Sequence, residues 1–578
     1  MLAGALGQEV VANQRATVDI GAIGASQEKA VPSLTDGSDD ALVPPGANVY
    51  LVNTLGQTHV QGKPDGLGAI VDKNSTDGHF DPLTNVYMAI VYCTFSAMVA
   101  TMNHKIEFII QFILLFRLQF TPMTSHAEHI QRLLARGPMA AQQLLKEVAI
   151  SQPTLSRTIA AMGADVIRVR NARTIQYALR DTVRGLVDIP VYRVDTDGKI
   201  KHLGLLVPVR DDGFVMIQDD GTTLHSQGIP WWLLDMRPQG FMGRAYATRH
   251  AQSLGLPASI AEWSDAQALR ALLAHGHEAV GNILLGDLAR ERFVNAADAT
   301  AIPLHQKGQA YARLANEVAS TGESWSSAAG EQPKFTAYAE TQTESGTGCS
   351  HCIVKFTLPE GNAITERWRD LLLAEHHALQ TLSAAGVAAA RSEVIDYGGQ
   401  RFLEVERFDR VGMRGRCAAF SLAAVDAEFT GMARSPWPLV TQALAFAGHI
   451  NTQAHEGAAL LYAFGTLIGN TDMHHGNLSF ASSHGRPYDP PYALAPAYDM
   501  LPMGFQPRSG GALTDTLNPA SLHPVVGPLA WRRALSLATA YLTRLRADDQ
   551  FSKRFAPCID SLSAHIGGAS MKVERLAI

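Results

Sequence analysis

One string, Leu467–Phe480 (LIGNTDMHHGNLSF), limits what this chain can fold into more than any other stretch. It follows a helical pattern over 458–468 and sets Asp472 and Asn477 five positions apart, so that a single loop turn can aim a carboxylate and an amide at one point. A second carboxylate, Asp499, comes 22 residues after Asn477 within Ala495–Pro502 (APAYDMLP), on an expected strand at 492–498 and its turn. Taken alone the spacing decides little. Asn, Thr, Asp and Gly also build ordinary Asx-turns, and His474 and His475 could serve as ligands of another kind.

The upstream sequence supplies the rest of a constellation. Phosphoryl-transfer sites of the protein-kinase class use the Asp-x-x-x-x-Asn spacing, with one group accepting a hydroxyl proton and the other binding Mg²⁺. They also need a strand lysine for the α/β-phosphates, and Lys355 stands mid-strand in Ile353–Leu358 (IVKFTL). Glu375, on a helix expected over 367–383, is placed to pair with it. Phe402–Phe408 (FLEVERF) reads as a buried strand ahead of a helical half, where an adenine-holding hinge would lie. The small-residue loop Ser326–Lys334 (SSAAGEQPK) precedes a strand at 335–338 and can bring backbone N–H groups, Gly330 among them, close to phosphates.

In order and spacing, the strings SAAGEQPKFTAY, IVKFTLP, LLLAEHHAL, FLEVERFDR, LIGNTDMHHGNLSF and LAPAYDM resemble the HipA-like serine/threonine kinase toxins of bacterial toxin–antitoxin systems, over about 250 residues. With the N-terminal module described next, the chain looks most like the YjjJ-type subgroup. The resemblance implies an α+β fold: a two-lobed, protein-kinase-like body preceded by a winged helix-turn-helix domain and a small mixed β-rich subdomain. It implies ATP and Mg²⁺ as cofactors. Lys355 would contact phosphates and Glu375 would orient it; Glu406 and Phe408 would form the adenine hinge; Asp472 would be the catalytic base with His474 beside it; Asn477 and Asp499 would hold the metal. Ser327, with Ser326 as its neighbour, aligns with a serine that family members phosphorylate on themselves. A protein substrate modified on Ser/Thr and a partner antitoxin are also implied. The loop departs from the family's usual Ala-Gly-Ala-Gln-Glu-Lys: Glu331 adds a negative charge near the phosphates, and Pro333 removes a backbone donor.

Ahead of this body, 123–185 reads as two helices (126–136, 140–148), a third over 152–162 capped by Ser151, and two strands at 166–170 and 174–179. This pattern resembles a winged helix, whose third helix enters the DNA major groove. Ser151, Gln152, Thr154, Ser156 and Arg157 would face DNA, and Arg168, Arg170 and Arg173 would supply the wing. Residues 124–185 carry nine Lys/Arg against four Asp/Glu, a basic island in a chain of net charge −6. Such modules also dock proteins.

At 578 residues, 46% hydrophobic and 18% charged, the chain can fill several cores. Domains are expected at 123–185, 186–310 (a strand meander and mixed α/β subdomain), 311–408 (the nucleotide-binding lobe) and 409–578 (the helical lobe). Trp231 and Trp232 are expected in a core, with partner binding as the alternative. Residues 1–122 lack a clear pattern except for apolar runs at 86–102 and 106–120. Those runs could be a membrane hairpin or a buried hairpin, but a start called too early, with Met123 as the true one, is preferred, so a membrane role is not expected. Five cysteines make no disulfide scaffold and fit a reducing cytoplasm. The Cys349-x-x-Cys352 pair, expected in a loop, lacks a second pair for zinc. The rival functional reading is a transcription regulator whose kinase-like half only senses a nucleotide or ligand.

Overall fold

The computed structural model describes residues 125–171, 174–296, 299–319, 332–343, 346–482 and 488–576. The unpatterned 1–122 segment with its two apolar runs, and Arg173, Ser326, Ser327, Gly330 and Glu331, lie outside the described residues. No described helix is long and apolar enough to cross a membrane.

Local capping sets the first helices. In α1 (His126–Leu134) Ser125 Oγ accepts from the Glu128 N–H at 3.2 Å, and the Glu128 carboxylate accepts from the Ser125 N–H at 3.1 Å, a reciprocal capping box. A short strand β1 (Met139–Ala140) leads into α2 (Ala141–Val148), which ends at Ala149 with a left-handed φ of 55°. Ser151 then caps α3 (Gln152–Met162). β2 (Val166–Asn171) and β3 (Thr174–Leu179) complete a three-stranded sheet of order β1-β3-β2. Ile130, Leu134, Leu144 and Leu155 form the core beneath it. The second helix starts one residue later than its pattern suggests, because Met139 and Ala140 pair with Tyr177 and Gln176 instead. A two-residue strand has no sequence signature of its own.

The next segment builds a five-stranded antiparallel sheet, β7-β6-β5-β4-β8, from β4 (Ile189–Val194), β5 (Ile200–Val209), β6 (Gly213–Gln218), β7 (Thr223–Ser226) and β8 (Ile283–Leu285). Helices α4 (Gly240–His250), α5 (Asp265–His275) and α6 (Gly286–Asn295) accompany it. Ser264 caps α5 in a second capping box. Trp231 and Trp232 are buried, and Trp231 lies 5.0 Å from Phe420 and 5.8 Å from Tyr492, so they are core residues. The β2–β3 hairpin is not free on both faces. Ile167, Val169 and Ala178 pack on Val207, Val209 and Val215, and the Arg210 N–H donates to the Leu179 carbonyl at 2.8 Å.

A third sheet carries the chemistry. α7 (Lys307–Ala319) covers one face of β9 (Lys334–Thr343) and β10 (Gly346–Phe356), burying Tyr311 against Phe335 and Phe402. α8 (Ala363–Ala384) covers the other face. With β11 (Ser392–Tyr397) and β12 (Gln400–Glu406) the order is β11-β12-β10-β9. Cys349 and Cys352 therefore lie inside β10, not in a loop. Three positions apart on a strand, they point to opposite faces, and no group of His, Cys, Asp and Glu among the described residues could hold a metal by itself.

A small hairpin, β13 (Arg410–Val411) and β14 (Gly415–Arg416), leads to the helical half. That half comprises β15 (Ala418–Ser421), α9 (Leu422–Phe429), α10 (Trp437–Phe446), α11 (Thr452–Leu467), β16 (Ser479–Ser482), β17 (Ala493–Leu494), α12 (Pro528–Ala547) and α13 (Ala556–Glu574). The expected strand at 492–498 shrinks to β17. Around it, the Tyr492 and Ala497 N–H groups donate to the carbonyls of His449 and Ala388, so the backbone is satisfied by loops and not by a ladder.

Candidate active site

Register places the first cation. Lys355 sits opposite Leu403 of β12 and Lys334 of β9, so both lysines share one face of the sheet. That face looks into a cavity of about 1040 Å³ lined by Lys334, Lys355, Glu375, Asp472, Asn477 and Asp499. The Lys355 ammonium donates to both carboxylate oxygens of Glu375 at 2.6 Å and also to Asp499. Lys355 and Glu375 are sequestered from solvent, at 7% and 0% exposure, so neither charge has water to fall back on. Burial works against the lysine's charge, but Asp499 and Glu375 outweigh it and hold its pKa above the ordinary value. For Glu375, burial pushes the carboxyl up against the pull of Lys355. For Asp499, burial also pushes upward, but Lys355 and Lys334 prevail and keep it below the usual carboxylate range.

The loop after α11 brings in the second set. The Asn477 side-chain amide donates to the Asp472 carbonyl at 2.8 Å, so its Oδ1 is not engaged in that bond, and Asn477 lines the cavity. The Asp472 carboxylate is half-exposed, with His474 Nε2 at 3.9 Å. Burial raises its pKa, and His474 partly offsets that. His474 is fixed from behind: its carbonyl accepts from Trp437 Nε1 at 3.1 Å, and its Nδ1 accepts from the Gly476 N–H at 2.9 Å. His475 turns away, with Nε2 2.7 Å from the Ser435 carbonyl, so it is no candidate ligand. Tyr498 links the two halves. Its hydroxyl donates to the Gly476 carbonyl at 2.8 Å, and its ring stacks on Phe408 at 5.9 Å. Phe408 and Glu406 line the same cavity and are half-buried.

The cavity thus gathers Lys355, Glu375, Glu406, Phe408, Asp472, His474, Asn477 and Asp499. Sequence reasoning passes over Lys334, which lines the cavity, and Asn470, which bonds to two residues that do. In the sequence Lys334 closes the small-residue string 326–334, and only register reveals that it faces Lys355. Asn470 is buried, and the Asp472 N–H donates to its Oδ1 at 3.0 Å. The asparagine two residues before Asp472 is visible in the sequence, but it reads there as turn chemistry.

The other candidate surface is α3. Gln152, Ser156 and Arg157 are exposed, as are Arg168 and Arg170 on β2. Ser151 and Thr154 are committed inside the helix's first turn, where Ser151 Oγ accepts from the Thr154 N–H at 3.4 Å and lies 2.9 Å from Thr154 Oγ1.

Comparison with known proteins places this architecture. Residues 186–294 match the family model of the YjjJ-like toxin middle domain, and residues 326–551 that of the HipA-like C-terminal domain. The class these define is the HipA-like toxins. Among curated relatives, Toxin YjjJ of Escherichia coli (strain K12) is 38% identical over 446 residues, spanning 77% of this chain and 98% of that protein. The chain belongs to this family, in its YjjJ-type branch. Among solved structures, HipA of Shewanella oneidensis MR-1, determined with HipB and operator DNA, covers 67% of this chain and 97% of its own at 14% identity and a TM-score of 0.43. The Helicobacter pylori proinflammatory kinase CtkA covers 42% of this chain and 93% of its own at 12% identity and a TM-score of 0.30.

Proposed function

We propose that the chain is an ATP- and Mg²⁺-dependent protein serine/threonine kinase that acts as the toxin of a toxin–antitoxin system, with a fused DNA-binding winged helix. The observation that carries this reading is the convergence of Lys355–Glu375, Asp472, Asn477 and Asp499 in one cavity between a sheet and a helical half. In this reading Lys355, held by Glu375, grips the phosphates. Asp472 accepts the acceptor hydroxyl's proton, and its half-exposed carboxylate leaves it open to that hydroxyl. His474 sits against it near the phosphates. Glu406 and Phe408 receive the adenine, with Phe408 supported by Tyr498.

The residues fit Mg²⁺. Asn477 Oδ1 and the low-pKa carboxylate of Asp499 are hard oxygen donors, and Mg²⁺ takes one or two such groups, with water and phosphate oxygens filling the rest. When bound, the ion neutralises charge on the leaving phosphates. Ser327 is the proposed autophosphorylation site, and Gly330, three positions on in the sequence, is proposed to approach the phosphates.

The winged-helix reading of 123–185 rests on the three helices, the β2–β3 hairpin and the exposed Gln152, Ser156, Arg157, Arg168 and Arg170. DNA would meet α3 and the outer face of the hairpin, because the inner face is packed on β5 and β6. The Shewanella HipA, seen with HipB and operator DNA, makes an antitoxin and an operator reasonable partners to seek here.

Intact-mass spectrometry of the purified chain after incubation with ATP and Mg²⁺ tests the kinase reading. Phosphate added to Ser or Thr is expected in the wild type and absent in Asp472→Asn. Equal phosphate in both would refute the assignment of Asp472.

A further inference from the structure

Asp472 and Asp499 approach the cavity on separate stretches of chain, 27 positions apart in the sequence, and one buried side chain bridges them. The Asn470 amide nitrogen donates to the Asp499 carbonyl at 3.2 Å, while its Oδ1 accepts from the Asp472 N–H at 3.0 Å. Asn470 is 5% exposed and is held in place by its own backbone, whose N–H donates to the Gly465 carbonyl at 2.8 Å at the end of α11. Asp499 has a left-handed φ of 52°, a conformation uncommon outside glycine, so its carbonyl and carboxylate directions depend on what holds the peptide. Only a side chain that is both donor and acceptor can serve both backbone groups, and Asn470 presents each end to the matching partner.

We infer that Asn470 is a positioning residue. It fixes the distance between the carboxylate proposed as catalytic base and the carboxylate proposed as metal ligand, without touching nucleotide or metal itself. This rests on the phosphotransfer reading above. Its consequence is specific. Losing the bridge should loosen the Asp499 arm relative to Asp472; Lys355 also donates to Asp499 but keeps both of its bonds to Glu375, and the Glu406–Phe408 end makes no hydrogen bond with Asn470. Metal use and turnover should therefore suffer, and nucleotide capture should not.

The test is steady-state transfer of labelled phosphate from ATP to dephosphorylated casein by the full chain, as wild type and Asn470→Ala, across a Mg²⁺ titration. For Asn470→Ala, kcat is expected to fall about 10- to 100-fold. The Mg²⁺ midpoint is expected to rise by about tenfold. The KM for ATP is expected to stay within about twofold, since Glu375 still holds Lys355 and the hinge groups are untouched. Asn470→Leu, which keeps the volume but can neither donate nor accept, serves the same test if the alanine variant fails to fold by thermal melting. An unchanged kcat and Mg²⁺ midpoint in a folded variant, or a loss confined to the KM for ATP, overturns the inference while leaving the kinase reading standing. No transfer by the wild type to casein or to itself defeats the kinase reading, and this inference with it.

Discussion

At the residue scale, Asp472, the proposed base, shows how an environment tunes a carboxylate. Burial lifts its carboxyl above the ordinary aspartate value, and His474 pulls it back. A base works only when ionised, so activity should fall as pH drops through that raised pKa. Removing His474 removes the largest of the influences that lower it, so the acid limb of kcat/KM in His474→Ala should move to higher pH, whatever happens to its height. A limb that stays in place or moves down would show that the two groups do not communicate. The identity of these residues is legible in the sequence, since Asp472, Asn477, Asp499, Lys355 and Glu375 all announce themselves by type and spacing. Lys334 and Asn470 do not, because their contributions come from register and from a bridge to a chain segment 29 residues away.

At the scale of elements, the join between β10 and α8 is the sensitive one. Lys355 and Glu375 are paired with almost no solvent exposure, and taking away one partner strands the other. Lys355→Met should therefore destabilise the chain by about 3–5 kcal/mol, measured by urea denaturation. A loss below about 1 kcal/mol would mean that Glu375 takes up a proton, or Asp499 rearranges, at little cost. Elements specified by their own residues are readable. Ser151 and Ser264 cap their helices as their positions suggest, and α8 and α11 follow from apolar spacing. β1, β7 and β8 are not readable, and β17 is read too long, since strands of two to four residues exist only because a partner lies alongside.

Over the whole described molecule, the point the sequence conceals is how the N-terminal module is attached. Its hairpin shares a core with the five-stranded sheet, and the Arg170 N–H donates to Thr223 Oγ1 at 2.7 Å. Deleting the module would bare Val207, Val209 and Val215, so substitution is the cleaner probe of DNA binding. Arg157→Ala with Arg168→Ala and Arg170→Ala should weaken binding of a duplex from upstream of the chain's own gene. The slope of log K against log salt should fall by about one for each phosphate that is no longer neutralised. An unchanged slope would assign the module to protein docking.

The central claim is that the cavity transfers phosphate through Asp472. It is tested most directly by following labelled γ-phosphate from ATP into Ser and Thr, with wild type and Asp472→Asn at matched nucleotide occupancy. Transfer by the wild type, with a loss of at least about 100-fold in a variant that still binds ATP, is the expected result. A wild type that binds ATP without transferring it, or a variant that transfers as fast, would contradict the account.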